Sequence, residues 1–488
     1  MADVLLTHSY RLHLDPKEER TMMPYPPLGT LYAAAVLREH GIDVAVHDVQ
    51  FDHDELPFHN ALRRHRPKLL VIYDDGFNYL TKMCLSNMRN VAYRMAALAH
   101  EAGITVAVFS SDATDHIPAY VSRNVDYVLC GEAEETTAEL SAAVLDRSAA
   151  SLEEIPGLAF VRNGSIFRTP KRGVARELDK FPFPARDLIE LDAYRSRWMR
   201  RHGYFSLNVV TTRGCPFHCN WCAKPLYGQV YHSRSPENVA AELRQLCSTA
   251  SPDHIWFCDD IFGLRPGWVE AFDRAVHTTK PILPYKCLSR ADLLDASTVR
   301  HLRNSGCSTV WVGAESGSQR ILDAMEKGTT IEQIHSATTR LRGAGVRVGF
   351  FLQFGYPGEG EEDIDATLRM VRECAPDEIG ISVSYPLPGT SFYDRVSADL
   401  TSKQNWTDSG DLELMFAGTY PPPFYRALHT LTHKRFSRWR ALRMLRNFFH
   451  GGPGSFRQVI RNVAVACYQT LTLPAVALRT AYLRRPVR

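Results

Sequence analysis

TTRGCPFHCNWC, residues Thr211–Cys222, places Cys215, Cys219 and Cys222 within eight residues, separated by three positions and then two. The preceding run, SLNVVTT, has the β-branched, alternating character of a strand, so the three thiols sit on a loop leaving a strand end. Thiolates are the soft ligands that iron–sulfur clusters require, and a four-iron cubane held by three cysteines keeps one iron open to a small molecule. Zinc would ask for a fourth ligand, usually from a second cysteine pair. No second Cys-x-x-Cys follows, His218 lies between two of the cysteines, and Cys247 falls on a predicted helix. A zinc-stabilised nucleic-acid-binding or scaffold protein is therefore the weaker alternative.

The rhythm continues downstream through HIWFC, LPYKCL, TVWVG, VRVGFFL and IGISVS, with helical stretches such as Pro236–Cys247 and Ile331–Gly343 between strands. Six β/α units predict a partial barrel over residues 201–400, whose chemistry belongs at the carboxyl ends of its strands. Upstream, DVLLT, DVAVHD, KLLVIY, ITVAVF and DYVLC alternate with helical patterns such as PPLGTLYAAAVLREHG and Leu85–Ala102. Residues 1–150 are thus expected to form a doubly wound parallel sheet, with His40-Gly41 and Ala102-Gly103 closing two of its helices. Over residues 151–200, LAFVR, Asn163-Gly164 and SIFRTP predict a hairpin with a type I′ turn, and DKFPFPARDL a proline-stiffened linker. Residues 401–488 form a loop-rich, then helical and basic region.

With 45% hydrophobic and 23% charged residues in 488, the composition is that of two or three globular domains and excludes disordered and fibrous classes. The N-terminus resembles neither a secretory signal nor a membrane span, which predicts a cytoplasmic protein. Eleven cysteines, unevenly spread, do not make a disulfide scaffold. Residues 414–488 carry thirteen lysines and arginines and no acid, whereas residues 1–413 carry 44 basic against 54 acidic residues. The apolar run VAVACYQTLTLPAVAL is too short to span a bilayer and predicts a helical cap or peripheral membrane contact. No nucleic-acid-binding module is present, so nucleic acid is not an expected partner.

The cysteine spacing, with the aromatic Trp221 just before the last cysteine, resembles the signature of the radical S-adenosylmethionine (SAM) superfamily, and the resemblance extends over about residues 200–400. It implies a [4Fe-4S] cluster on Cys215, Cys219 and Cys222 whose open iron chelates the amino and carboxylate groups of SAM. Reductive cleavage would then give methionine and a 5′-deoxyadenosyl radical that abstracts hydrogen. It also implies SAM contacts by Asp259 and Asp260 at the end of the second barrel strand, Arg290 at the end of the third, Glu315 and Lys327. Gly355, with Pro357 and Gly358, would bring backbone close to the adenine.

Residues 1–150 resemble the cobalamin-binding domain that precedes the barrel in one radical SAM class, chiefly in PPLGTLYAAAVLREHG and VDYVLCGEAEET. The usual Asp-x-His-x-x-Gly is absent, since the loop before Gly29 reads MMPYPPLG, which implies a cobalt without a histidine ligand. Asp74-Asp75-Gly76 replaces one contact loop and Ser110-Ser111 another, so Asp74, Asp75, Ser110 and Ser111 are the expected cobalamin contacts. The resemblance implies a cobalamin-dependent C-methyltransferase acting on an unactivated carbon of a lipid or specialised metabolite. An oxidative cyclase or rearranging enzyme of the same architecture is the alternative, and either needs a reductant protein such as flavodoxin or ferredoxin. RNA-methylthiolating relatives carry a second cysteine-bound cluster in the front domain, which here has only Cys84 and Cys130.

Overall fold

A computed structural model describes residues 1–77, 83, 85–148, 151–222, 227–279, 282–450 and 455–484; Cys84 lies outside the described residues. The chain divides into two compact units, one comprising Met1–Pro216, Ala223–Tyr285 and Asn405–Asp411, the other Phe217–Cys222, Lys286–Gln404 and Leu412–Arg488.

The first unit is built on a seven-stranded sheet of β1 (Val4–Thr7), β2 (Val44–His47), β3 (Leu69–Tyr73), β4 (Thr105–Phe109), β5 (Tyr127–Leu129), β6 (Leu158–Arg162) and β7 (Ser165–Arg168), in the order β2-β1-β3-β4-β5-β6-β7. The first five strands pair in parallel. VLLT and LLVIY are buried along their whole length because helices cover both faces of the sheet. Helix Leu28–Glu39 contributes Ala33, Val36 and Leu37 to the core on one face, and helix Ser86–Glu101 contributes Val91, Met95 and Ala99 to the other.

The hairpin departs from its expected place in a linker between domains. It extends the first sheet, with β6 pairing antiparallel to β5 at Leu129↔Leu158 and burying Leu158, Ala159 and Phe160. Without it, β5 would present an unpaired edge and the apolar half of LAFVR would face water. Asn163 and Gly164 both take positive φ, 51° and 76°, as the predicted tight turn requires.

The same unit contains β8 (Ser206–Val209), a short antiparallel pair of β9 (Thr212–Arg213) with β10 (His232–Ser233), and β11 (His254–Phe257), parallel to β8. β9 leads into the cysteines and is fixed by two buried polar networks. The Arg213 guanidinium donates to Glu132 and, at 2.8 Å, to Glu134, with its central carbon 4.1 Å from the Phe181 ring centroid. Glu132 and Glu134 belong to the GEAEET stretch, so that stretch serves the fold as the partner of Arg213. Asp259, just beyond β11, accepts hydrogen bonds from the backbone N–H groups of Thr211 and Thr212 at 2.7 and 2.8 Å and from both hydroxyls at 2.8 and 2.9 Å.

The remaining strands are β12 (Tyr285–Ser289), β13 (Cys307–Glu315), β14 (Arg347–Phe354) and β15 (Glu378–Val383), and the second sheet has the order β15-β14-β13-β12-β11-β8, the expected partial barrel. A register shift at Gly313–Glu315 ends β13 with Glu315 in the left-handed region, φ 54°. In the second unit, helix Ile331–Gly343 opens on a capping box of Thr330 and Gln333. Helices Pro422–Phe449 and Phe456–Leu483 form the C-terminal helical region, tied together where Lys434 donates to Gln469 and Thr472. Among the described residues no helix is long and apolar enough to cross a membrane.

Arg213→Leu strands two buried carboxylates, so a loss of about 3–5 kcal/mol is expected at neutral pH. Urea unfolding should show it, with a smaller loss at low pH, where Glu134, whose carboxyl burial pushes up, takes a proton. Burial, only partly offset by the threonine bonds, raises the Asp259 carboxyl above the ordinary carboxylate range to about 6. Because the folded state then holds the proton more tightly than the unfolded chain, this contribution is fully present at low pH. It is lost as pH rises from about 4 to 6. Asp259→Asn can keep the acceptor geometry without the charge. The melting temperature of the native protein relative to this variant should therefore fall across that interval, and a constant difference would contradict the account.

Candidate functional site

Phe217–Cys222 belongs to the second unit and is held there chiefly by Asn220. The Asn220 backbone N–H donates to the Met325 carbonyl at 3.2 Å, and its carbonyl accepts from the Phe392 N–H at 3.0 Å. Its side-chain amide donates to the Ala324 carbonyl at 2.8 Å and to Glu326 at 3.1 Å, while its side-chain oxygen accepts from the Tyr356 hydroxyl at 3.1 Å. Asn220 was missed by sequence reasoning. Its only signal is a polar residue, able to donate and accept, between two nominated site residues.

This anchoring places the loop beside side chains far away in sequence. Arg290, beyond β12, lies with its guanidinium carbon 3.6 Å from the Phe217 ring centroid and its Nη1 4.0 Å from Cys219 Sγ. Asp292 steadies it through bonds of 3.0 and 3.1 Å. Lys327 Nζ lies 2.9 Å from Glu315 Oε1 and 5.7 Å from the Trp221 ring centroid. Lys327 and Glu315 are only 8% and 5% exposed. Burial opposes the ammonium form of Lys327, but Glu315 and Cys219 together outweigh it, and its pKa is raised. Gly313 makes room for the pair, since a Cβ there would stand 2.7 Å from both Glu315 Oε1 and Lys327 Nζ.

Cys219, Trp221, Arg290, Glu315 and Lys327 are thus gathered around one loop. The donor set suits an anionic metal–sulfur group and an anionic ligand, with two cations near the Cys219 sulfur. Trp221 adds an indole N–H that is buried without a partner among the described residues. Cys215 is half-buried and Cys222 exposed, and the ten described cysteines form no disulfide. Among the described residues no group of three His, Cys, Asp or Glu side chains is gathered to hold a metal ion, and Cys215, Cys219 and Cys222 are not brought together as one.

Other nominated residues take different roles. The Asp259 carboxylate is committed to Thr211 and Thr212, while the neighbouring Asp260 is exposed. Gly355, at φ 80°, is covered by Leu414 and Tyr425, with its N–H given to Glu359 at 2.6 Å; it shapes a turn. In the first unit, Asp74 accepts from the Ser9 N–H at 2.7 Å and from the Ser9 hydroxyl. Asp75 accepts from the N–H groups of Leu28, Gly29 and Phe77, and Ser110 caps the short helix that Ser111 begins. Ser9 and Asp74 follow β1 and β3, where the strand order reverses, the place where open α/β sheets bind ligands. Both aspartates nevertheless turn inward, toward the chain's own donors. Burial raises the Asp74 carboxyl to about 6 despite the Ser9 bonds.

Comparison with known proteins agrees with this arrangement. Residues 209–371 match the model of the Radical SAM superfamily. The chain is 27% identical over 391 residues to an uncharacterized methyltransferase, PH0819, of Pyrococcus horikoshii, covering 78% of this chain and 81% of that protein. It is 23% identical over 426 residues to the anaerobic magnesium-protoporphyrin IX monomethyl ester cyclase of a Synechocystis species, covering 84% and 79%. Its fold resembles that of the radical SAM methyltransferase TsrM of Kitasatospora setae, solved with cobalamin and a [4Fe-4S] cluster bound, with a TM-score of 0.68 at 19% identity over 82% of this chain and 75% of that one. A cysteine loop at a barrel strand end, the cations gathered at Cys219 and the match of the family model over the same stretch together identify residues 209–371 as a radical SAM domain.

Proposed function

We propose that this enzyme is a cobalamin-dependent radical SAM C-methyltransferase acting on an unactivated carbon of a lipid or specialised metabolite. The observation that carries the reading is the loop Phe217–Cys222, whose Cys219 faces Arg290 and lies within electrostatic reach of Lys327. In this reading Cys215, Cys219 and Cys222 hold the [4Fe-4S] cluster, with one iron left for SAM. Lys327, kept charged and positioned by Glu315, takes the SAM carboxylate; Asp260 takes the amino group; Arg290 offsets the negative charge of the thiolate-bound cluster. The Trp221 N–H, without an acceptor among the described residues, supplies a further donor beside the loop.

The fold likeness to a cobalamin-bound methyltransferase and the strand-order reversal at β1 and β3 support cobalamin in the first unit. Asp74, Asp75, Ser110 and Ser111 then shape the binding loops rather than donate to the cofactor, and inward-turned carboxylates remove the repulsion a nucleotide phosphate would meet. When bound, the cluster with SAM supplies a carbon-centred radical and cobalamin a transferable methyl group. The electron comes from a reductant such as flavodoxin or ferredoxin, in a cytoplasmic setting. Similarity to the Synechocystis cyclase supports a second reading, oxidative cyclisation.

Anaerobic reconstitution with cobalamin, reductant, SAM and candidate substrates distinguishes them. Methyl transfer predicts both 5′-deoxyadenosine and S-adenosylhomocysteine, with a product heavier by one CH2. Deoxyadenosine alone, with a product that has lost hydrogen, would establish the cyclase reading instead. Cys219→Ala is expected to abolish the cluster's visible absorbance and SAM cleavage while the circular dichroism stays unchanged; undiminished cleavage would refute the ligand assignment. Lys327→Ala should weaken SAM binding by about tenfold or more, as expected for loss of a charge-assisted bond, with iron content retained, measured by equilibrium dialysis on the reconstituted enzyme.

A further inference from the structure

Helix Phe456–Leu483 runs 28 residues and buries only Ala466 and Thr480. Phe456, Ile460, Val463, Leu471, Leu478 and Tyr482 are all exposed, Leu471 by 81%. Their separations of three, four, seven and eight residues put them on one face of the helix. No charged residue falls on that stripe, while Arg457, Arg461 and Arg479 share the stripe beside it. Another face is occupied by helix Pro422–Phe449 through Lys434 with Gln469 and Thr472, and Arg438 with Thr470. At 1.5 Å rise per residue the exposed ridge is about 40 Å long, and a contiguous exposed apolar face is the mark of an interaction site.

Charge decides what covers it. Residues 414–488 carry thirteen lysines and arginines and no acid, so a second copy would bring like charge to like. An anionic surface complements the flank, and an apolar face edged by arginines is the character of a helix lying in a membrane interface. The helix is not apolar enough to cross a bilayer. We propose that helix Phe456–Leu483 docks the enzyme on an anionic lipid surface, with its apolar face among the acyl chains and Arg457, Arg461 and Arg479 at the lipid phosphates. This assignment stands apart from the catalytic reading and is tested without turnover.

The experiment is vesicle flotation of the full-length chain with phosphatidylcholine alone and with phosphatidylcholine containing phosphatidylglycerol. The expected result is flotation with the anionic vesicles, weakened by salt, which screens the arginines. Leu471→Glu combined with Leu478→Glu should lower the partition coefficient by about tenfold or more, because two leucines lose their burial, with helical circular dichroism unchanged. Arg457→Gln, Arg461→Gln and Arg479→Gln together should erase the preference for anionic vesicles. Absence of flotation, flotation unaffected by the leucine pair, or a dimer dispersed by the leucine pair without any vesicle binding would each overturn the proposal.

Discussion

Arg213 is buried with Glu132 and Glu134 two residues before the first cysteine, and the placement of β9 within the first unit starts from that contact. Three charges removed from water tolerate little displacement, since separating any pair leaves an uncompensated ion in a medium of low dielectric. The ring of Phe181 against the guanidinium restricts it further. Pinning β9 in this way lets a glycine-containing turn follow it, with Gly214 at φ 81° and its Cα so close to the Val230 carbonyl that no Cβ would fit. The backbone from Thr211 to Gly214 is therefore fixed within the first unit.

Beyond β9, holding the chain falls to a few polar side chains that each satisfy several partners. Asn220 uses its backbone and both ends of its amide to hold the loop, while the carbonyl of the adjacent Cys219 accepts from the Cys222 N–H at 3.2 Å. Asp259 does the same for Thr211 and Thr212 with a single carboxylate. Preorganisation of this kind matters wherever a ligand must meet a metal edge and several polar groups at once, because the entropy of ordering the groups has been lost on folding rather than on binding.

Strand positions were legible because the strands are short apolar runs whose pattern survives in the sequence, and six such runs sufficed to announce the second sheet. The cysteines were legible because their spacing is local. Arg290, Glu315 and Lys327 were nominated through a resemblance, and their convergence on Cys219 and Trp221 is a tertiary fact that spacing alone does not contain. Less visible were the residues whose role depends on what faces them. The hairpin of LAFVR and SIFRTP read as a separate segment, since nothing local says that β5 lacks a neighbour. Asp74 and Asp75 occupy an expected contact loop, yet Ser9 and the first turn of helix Leu28–Glu39, which claim their oxygens, are remote in sequence. Asn220 looked like a spacer between ligands because its five partners lie more than a hundred residues away.

The indole nitrogen of Trp221 has a consequence of its own. A donor in water gives up a hydration bond whenever it binds something, so the net gain is small. This one has no such bond to surrender, having been dried by the packing of the chain with no acceptor among the described residues. Any molecule that fills the space is consequently graded by whether it carries a lone pair at that spot, and one that offers only carbon leaves the defect in place. Discrimination of that sort needs neither charge nor movement, only a buried donor that meets no acceptor among the described residues.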